Sequence, residues 1–423
     1  MSKKSGIFAG IDLGTNNSCI AIYKYEKTEV LAGADGSRIT PSYVYIGENG
    51  EKHVGKSAKN YGHKKPERLF YEISSEVLKK LVAYVGEHID GVVLTVPAFF
   101  STEQKNKILE AAEMAGITVL QLICEPTAAA IAYGMEHSYI NGEMLFVFDM
   151  GGGTFDITII KILNSKDFEV IVLGGDSHLG GRDFDGVIID WMLKKLEDKV
   201  GKNGLKKLMP RKKYKIMEMA KEAKEALSQA EDAVIQLSEV HSDASDVTLT
   251  RTEFEELSKG LVAKVKESKF SKTVNAEEIV ALGATRLAAK LGKQSTRSDI
   301  TELNYKDKIS LKVGIEYADI NGDSVIRKVF DSNTSYNQEQ VINMKTMQDK
   351  ECEITLYEGL YDELEKNTHI GGLKLMNLPP KKAEEYNVDV ILTIDKNGIL
   401  EVKTNDLNCA VKYKTQLIQR RNI

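Results

Sequence analysis

The pattern of apolar and polar positions divides the chain into two textures. Up to Gln294, short apolar runs alternate with helical stripes. The most informative stretch is Leu145–Ile160. Phe146–Phe148 suits burial on both faces, Gly151-Gly152-Gly153 permits a tight turn, and Ile157, Ile159 and Ile160 resume a β-branched strand. Gly91–Ala98 reads as a buried strand. Ser101 caps the helix after it, with Gln104 completing a capping box and Gly116 as the stop. Ile108, Ala111, Ala112 and Ala115 form that helix's inner stripe. Ile117–Ile123 is the next strand and Pro126–Gly134 a helix of small residues. This alternation predicts an α/β arrangement. A long helical region follows the glycine-rich Gly174–Gly181 and runs to about Ala230. Beyond Gln294, Ser295–Asp307 is polar and reads as a linker. Then, from Ile309 to about Tyr413, come only short alternating runs, among them Ile309–Tyr317, Gln340–Met347, Cys352–Tyr357, Gly372–Leu378, and Val388–Asp395 returning through Asn397-Gly398. They predict an all-β sandwich. A short basic tail ends the chain at Leu417–Ile423.

The 145–160 hairpin has a gapless repeat at Ile7–Ile22. Asp12 falls on Asp149, Gly14 on Gly151, Ile20 on Ile157 and Ile22 on Ile159. An internal repeat of this kind predicts two related halves. Each half offers a carboxylate at the lip of a glycine turn, so a facing pair suits the phosphates of a nucleotide and one Mg²⁺. A pair of ordinary tight hairpins is the simpler alternative.

Composition narrows the field. A chain of 423 residues predicts two or three domains. Its 42% hydrophobic and 28% charged residues are globular values, and a net charge of −5 argues against nucleic-acid partners. No apolar run approaches the ~20 residues of a membrane helix, and no signal peptide is visible, so no membrane role is expected. Cys19, Cys124, Cys352 and Cys409 are scattered without metal-ligand or disulfide spacing, which points to a reducing, cytoplasmic setting. Lys206–Lys215 is strongly basic but reads as a solvated face beside Glu218, Glu222 and Glu225. Gly50–Ser57 matches the spacing of a Walker phosphate loop, yet its first glycine is better spent in an Asn49-Gly50 hairpin turn.

Five stretches together carry a resemblance. They are Gly10–Thr15, Glu125–Gly134, Phe148–Asp156, Gly175–Asp185 and Thr393–Leu400. From about residue 6 to about 415 the chain resembles the 70-kDa heat-shock chaperone family of the DnaK type. The resemblance implies an α/β actin-like two-lobed ATPase domain (1–294), a linker (295–307), an all-β sandwich that grips apolar peptides (308–415) and a tail (416–423). It implies an ATP-dependent molecular chaperone with ATP/ADP and Mg²⁺ as cofactors. Unfolded or extended apolar polypeptides, J-domain proteins and nucleotide-exchange co-chaperones would be its partners. Asp12 and Asp149 would hold the metal shell. Gly14 and Thr15 would meet the β-phosphate, with Asn16 a further cofactor-binding position, and Gly151, Gly152, Gly153 and Thr154 the γ-phosphate. Glu125 would stand near the attacking water, with Asp156 as a further catalytic carboxylate and Pro97 as the relay of nucleotide state. Lys224 and Ser228 would face adenosine. Ile315, Ile342, Cys352 and Ile354 would line the peptide pocket, with plain sandwich core as the alternative.

The chain also departs from that pattern. After Phe70 it jumps to Glu72–Leu78, and the family's catalytic lysine has no counterpart. After Lys272 the adenine-sandwiching loop has no counterpart either. Lys221 stands at an acidic ribose contact, Asn16 replaces a threonine, and Cys124 replaces the residue, usually Asn, before Glu125. Thr301-Glu302 interrupts the aliphatic docking run expected at Asp299–Leu303, which predicts weak docking. No counterpart of the helical lid follows the sandwich. Impaired turnover is therefore expected. The alternatives are a degenerate, non-hydrolysing relative, the product of a defective gene model, and a sugar kinase of the same actin-like fold.

Overall fold

In a computed structural model the described residues are 6–62, 65–71, 73–136, 141–164, 166–264, 276–318, 323–345, 351–376, 387–404 and 410–413. The first half opens with β1 (Phe8–Leu13), β2 (Asn17–Lys24) and β3 (Lys27–Val30), then β4 (Thr40–Pro41), β5 (Tyr43–Ile46), β6 (Lys52–Val54) and α1 (Lys56–Gly62). β7 (Leu69–Tyr71), α2 (Ser74–Ala83), β8 (Gly91–Val96), α3 (Thr102–Met114), β9 (Val119–Cys124) and α4 (Glu125–Glu136) complete it. β1 pairs antiparallel with β2 and parallel with β8, which pairs parallel with β9, giving the order β3-β2-β1-β8-β9 with β4 beside β2. All six residues of β8 are buried, which explains why it reads as a continuous apolar run. Ser101 and Gln104 form the expected capping box. Gly50 takes a φ of 81° in the β5–β6 turn, so the Walker-like spacing is a hairpin followed by a helix of seven residues.

The second half repeats the hairpin as β10 (Met144–Met150) and β11 (Phe155–Asn164), extended by β12 (Asp167–Asp176). The long helix α5 (Gly181–Leu227) follows and is interrupted at Gly201. β13 (Asp232–Ile235), β14 (Val247–Thr250), α6 (Arg251–Val262) and α7 (Ala276–Leu291) come next. α7 packs against α4 and β1 at unusually short range. A Cβ on Gly10 would lie 2.2 Å from the backbone N of Thr285, and one on Gly283 would lie 1.8 Å from the Ala128 carbonyl oxygen. Thr285 fills the contact by accepting from the Gly10 N–H at 3.1 Å.

The stretch 295–307 is less of a free linker than its polarity predicts. α8 (Ser298–Thr301) buries Ile300, Leu303 is fully buried, and β15 (Asn304–Lys306) joins β12 in parallel pairing. Ile300 and Leu303 anchor the docking run by burial, and the backbone pairing of Asn304–Lys306 extends it. Thr301 and Glu302 lie between these two anchors and are exposed.

The remaining strands are β16 (Lys312–Ala318), β17 (Ser324–Phe330), β18 (Gln338–Lys345), β19 (Glu351–Gly359), β20 (Thr368–Met376), β21 (Asn387–Ile394), β22 (Leu400–Thr404) and β23 (Ala410–Tyr413). They form two sheets, β17-β16-β19-β20-β23 and β18-β21-β22, around one shared core. β17 and β23 fall within the same run of short strands.

These sheets rest directly on the first half. Glu358 accepts hydrogen bonds from Thr102 N at 2.9 Å and Thr102 Oγ1 at 3.0 Å. Lys105, 3% exposed, donates to the Gly398 carbonyl at 3.0 Å and lies over the Tyr336 ring. Asn397 accepts from Leu122 N at 2.9 Å, and Ser310 donates to the Ala98 carbonyl at 2.8 Å. Cys124, the residue before Glu125, meets the Tyr336 hydroxyl at 3.4 Å. The joint therefore ends one residue from a candidate catalytic group.

Candidate functional site

The two hairpins face one another across a cavity of about 340 Å³. β1 delivers Asp12, and the turn after it delivers Gly14, Thr15 and Asn16. β10 delivers Asp149, and its turn delivers Gly151, Gly152 and Thr154. Glu125 enters from the first residue of α4, and Pro97 from the end of β8. Lys221, Lys224 and Glu225 on α5 form another wall. Gly153 completes the second turn, with its backbone against Gly180 and its open side toward Thr15. Two of the sequence-derived candidates stand elsewhere. Asp156 is buried opposite Asp149 in the β10–β11 ladder. Ser228 is exposed at the C-terminal end of α5, beyond the cavity wall.

The carboxylates crowd a dry environment. Burial pushes Asp12 up to about 7; a hydrogen bond from Thr95 at 3.0 Å opposes the rise, and nearby Asp149 adds to it. Asp156 is pushed up to about 7 by burial and by Asp149, against the N–H groups of Phe99 and Ala98. Glu125 is held well above the usual glutamate range by burial and then by Asp12, Asp149 and Asp156. Burial also raises Asp149. One buried Asp156 oxygen, Oδ1, has no hydrogen-bond partner. Such a set favours a cation, because a cation offsets both the desolvation and the mutual repulsion.

The donor set fits Mg²⁺ in a particular way. Among the described residues no three acidic, histidine or cysteine side chains come together as a self-sufficient metal site. Mg²⁺ normally takes one or two carboxylates and completes its shell with phosphate oxygens and water. Asp12 and Asp149 can supply that pair, with backbone N–H groups of both turns beside them for the phosphates.

Among the described residues the cations of the cavity wall come from α5. Lys224 pairs with Asp185 at 2.7 Å and donates to the Gly181 carbonyl at 2.9 Å. Lys221 pairs with Glu225 at 3.6 Å. Among the described residues, no lysine or arginine from the first half lines the cavity. The region 265–275, where the adenine loop has no counterpart in the sequence, lies outside the described residues.

The four peptide-pocket candidates fall on strands of the two-sheet region. Ile315, Ile342 and Ile354 are 1%, 7% and 1% exposed within the core shared by the two sheets. Inward-facing β-branched residues of paired sheets pack on each other, so the core alternative describes them in this conformation. Cys352 lies on β19, and its side chain is outside the described residues.

A sequence profile described as "Hsp70 protein" matches residues 8–75, 64–269 and 266–422. The chain belongs to the Hsp70 family. The match comes in three stretches that meet at 64–75 and 266–269. These lie at or beside the points where the sequence jumps, after Phe70 and Lys272, as in a shortened Hsp70-type protein. The third stretch covers the two-sheet region, which sets aside the sugar-kinase alternative. Hsp70 proteins are chaperones that bind ATP or ADP with Mg²⁺ and engage unfolded polypeptides and co-chaperones.

Proposed function

We propose that this Hsp70-type chain binds ATP or ADP with Mg²⁺ between the two hairpins of an actin-like, two-lobed domain spanning 1–294. The sandwich at 308–415 would hold extended apolar polypeptide under nucleotide control. The observation that carries the reading is the convergence of Asp12, Asp149, Glu125 and both glycine turns on one cavity. Asp12 and Asp149 would hold the metal. The N–H groups of Gly14–Thr15 and Gly151–Thr154 would cradle the phosphates, and Glu125 would orient water at the far side. Mg²⁺ would supply charge neutralisation for the phosphate chain.

Slow hydrolysis is part of the proposal. Among the described residues the cavity's cations, Lys221 and Lys224, come from α5, and both already have acidic partners. Phosphoryl transfer depends on positioning and charge stabilisation, so a lysine missing from the first half costs orders of magnitude in rate. Calorimetric titration with Mg²⁺·ADP and single-turnover hydrolysis of ATP test the two parts separately. Absence of nucleotide binding sinks the site assignment. Hydrolysis at the rate of an intact relative sinks the claim of slow turnover. A fluorescent apolar peptide whose release is indifferent to nucleotide sinks the claim of coupling.

A further inference from the structure

Arg182, the second residue of α5, belongs to both phosphate-binding turns at once. Its backbone N–H donates to the Gly152 carbonyl at 2.9 Å, and the Gly181 N–H donates to the Gly151 carbonyl at 2.9 Å. The first turn of α5 is thereby strapped to the second hairpin. Its guanidinium reaches the first hairpin instead. Nε donates to Asn16 Oδ1 at 3.1 Å and Nη2 donates to the Thr15 carbonyl at 3.2 Å. The Asn16 side chain closes the circuit by lying against Gly152, where a Cβ would come within 2.4 Å of Nδ2. Asn16 is itself fixed, since its carbonyl accepts from Ser42 N at 2.9 Å.

We propose that Arg182 is a positioning residue that clamps the two phosphate-binding hairpins together across the cleft. It sets the spacing between the Gly14–Thr15 donors and the Gly151–Thr154 donors. A planar guanidinium suits this task, because its fork holds two acceptors of one turn in a fixed relation. The ligand class that depends on the spacing is one with at least two linked phosphates. A monophosphate can use one turn alone and does not sense the distance between them. The proposal rests on the reading of the cleft as a Mg²⁺·nucleotide site.

The test compares Mg²⁺·ATP, Mg²⁺·pyrophosphate and AMP on the full chain. In Arg182→Ala, affinity for ATP and pyrophosphate is expected to fall about tenfold, about 1.4 kcal/mol, while AMP stays within about twofold. Arg182→Lys keeps the charge but not the fork, so it restores only part of the loss. Asn16→Ala with Arg182→Ala is expected to be no worse than Arg182→Ala alone, because both break one circuit. Equal losses for all three ligands, or no loss for ATP and pyrophosphate, overturn the clamp. If the wild-type chain binds neither phosphate ligand, the cleft reading fails. The clamp is then judged by amide hydrogen exchange at residues 14–17 and 151–154 of the ligand-free protein. Faster exchange in Arg182→Ala supports it, and unchanged exchange overturns it.

Discussion

The cleft and the joint between the two-sheet region and the first half both bury carboxylates, with opposite bookkeeping. In the cleft, burial raises Asp12, Asp149, Asp156 and Glu125, neighbouring acids push Asp12, Asp156 and Glu125 further, and Asp156 leaves an oxygen without a partner. At the joint, Glu358 is capped by both polar atoms of Thr102, and buried Lys105 stands nearby. Buried acids with their donors in place hold a structure together. Buried acids crowded together with fewer donors than acceptors are arranged for something that arrives later. Asp307 at the joint also keeps one buried oxygen without a partner, but Lys105 stands near it, so the crowding of four acids and not an unpaired oxygen marks the cleft.

The contrast can be attacked from both sides. The largest effect is expected from Asp12→Asn with Asp149→Asn, which should weaken Mg²⁺·ADP binding by about 100-fold or more. The same double variant should leave metal-free stability equal or higher, as read by urea unfolding, since two repelling charges are gone. A loss of metal-free stability would make the cleft acids structural after all. At the joint the order reverses. Glu358→Ala leaves Thr102 N–H and hydroxyl unpaired, and should cost about 2 kcal/mol of docking. Limited proteolysis within 295–307 should show the loosening, with nucleotide affinity little changed.

A smaller effect is expected from pH. Burial holds Glu358 above its ordinary range when docked, opposed by Thr102 and Lys105. The docked form thus binds the proton more tightly than the released form. Docking is fully supported below the ordinary glutamate range and weakens as pH rises through the raised value. Fluorescence transfer between labels on α3 and β20 should follow that slope, and Glu358→Gln should flatten it. The smallest effect is expected from Ser101→Ala, which removes the cap of the helix that carries Thr102 and Lys105, at about 1 kcal/mol.

Legibility in the sequence followed the range of the interaction. The capping box at Ser101 and Gln104 and the turns at Gly50 and Gly398 rest on neighbours a few residues away, and the chain spells them out. The internal repeat exposed the paired acids because both copies keep their aspartate and first glycine. β15 was hidden because its pairing uses backbone groups, which leave no trace in a polar run. Arg182 was hidden because its partners lie 166 and 167 positions away. The isoleucines of the sheets were visible as apolar but not as enclosed, since alternation marks a face and not what covers it.

The close approach of α7 to β1 and α4 bears on how this protein tolerates substitution. Gly10 and Gly283 let three elements touch backbone to backbone, and those elements carry Asp12, Glu125 and Val280 to the cavity wall. The depth of the cleft is therefore written partly in atoms that are missing. In a saturation survey these two positions should accept almost nothing, while many charged residues lining the cleft tolerate replacement at the level of folding. A survey scored by abundance would mark Gly10 and Gly283, and one scored by nucleotide binding would add the acids; the difference between the two maps would outline the site.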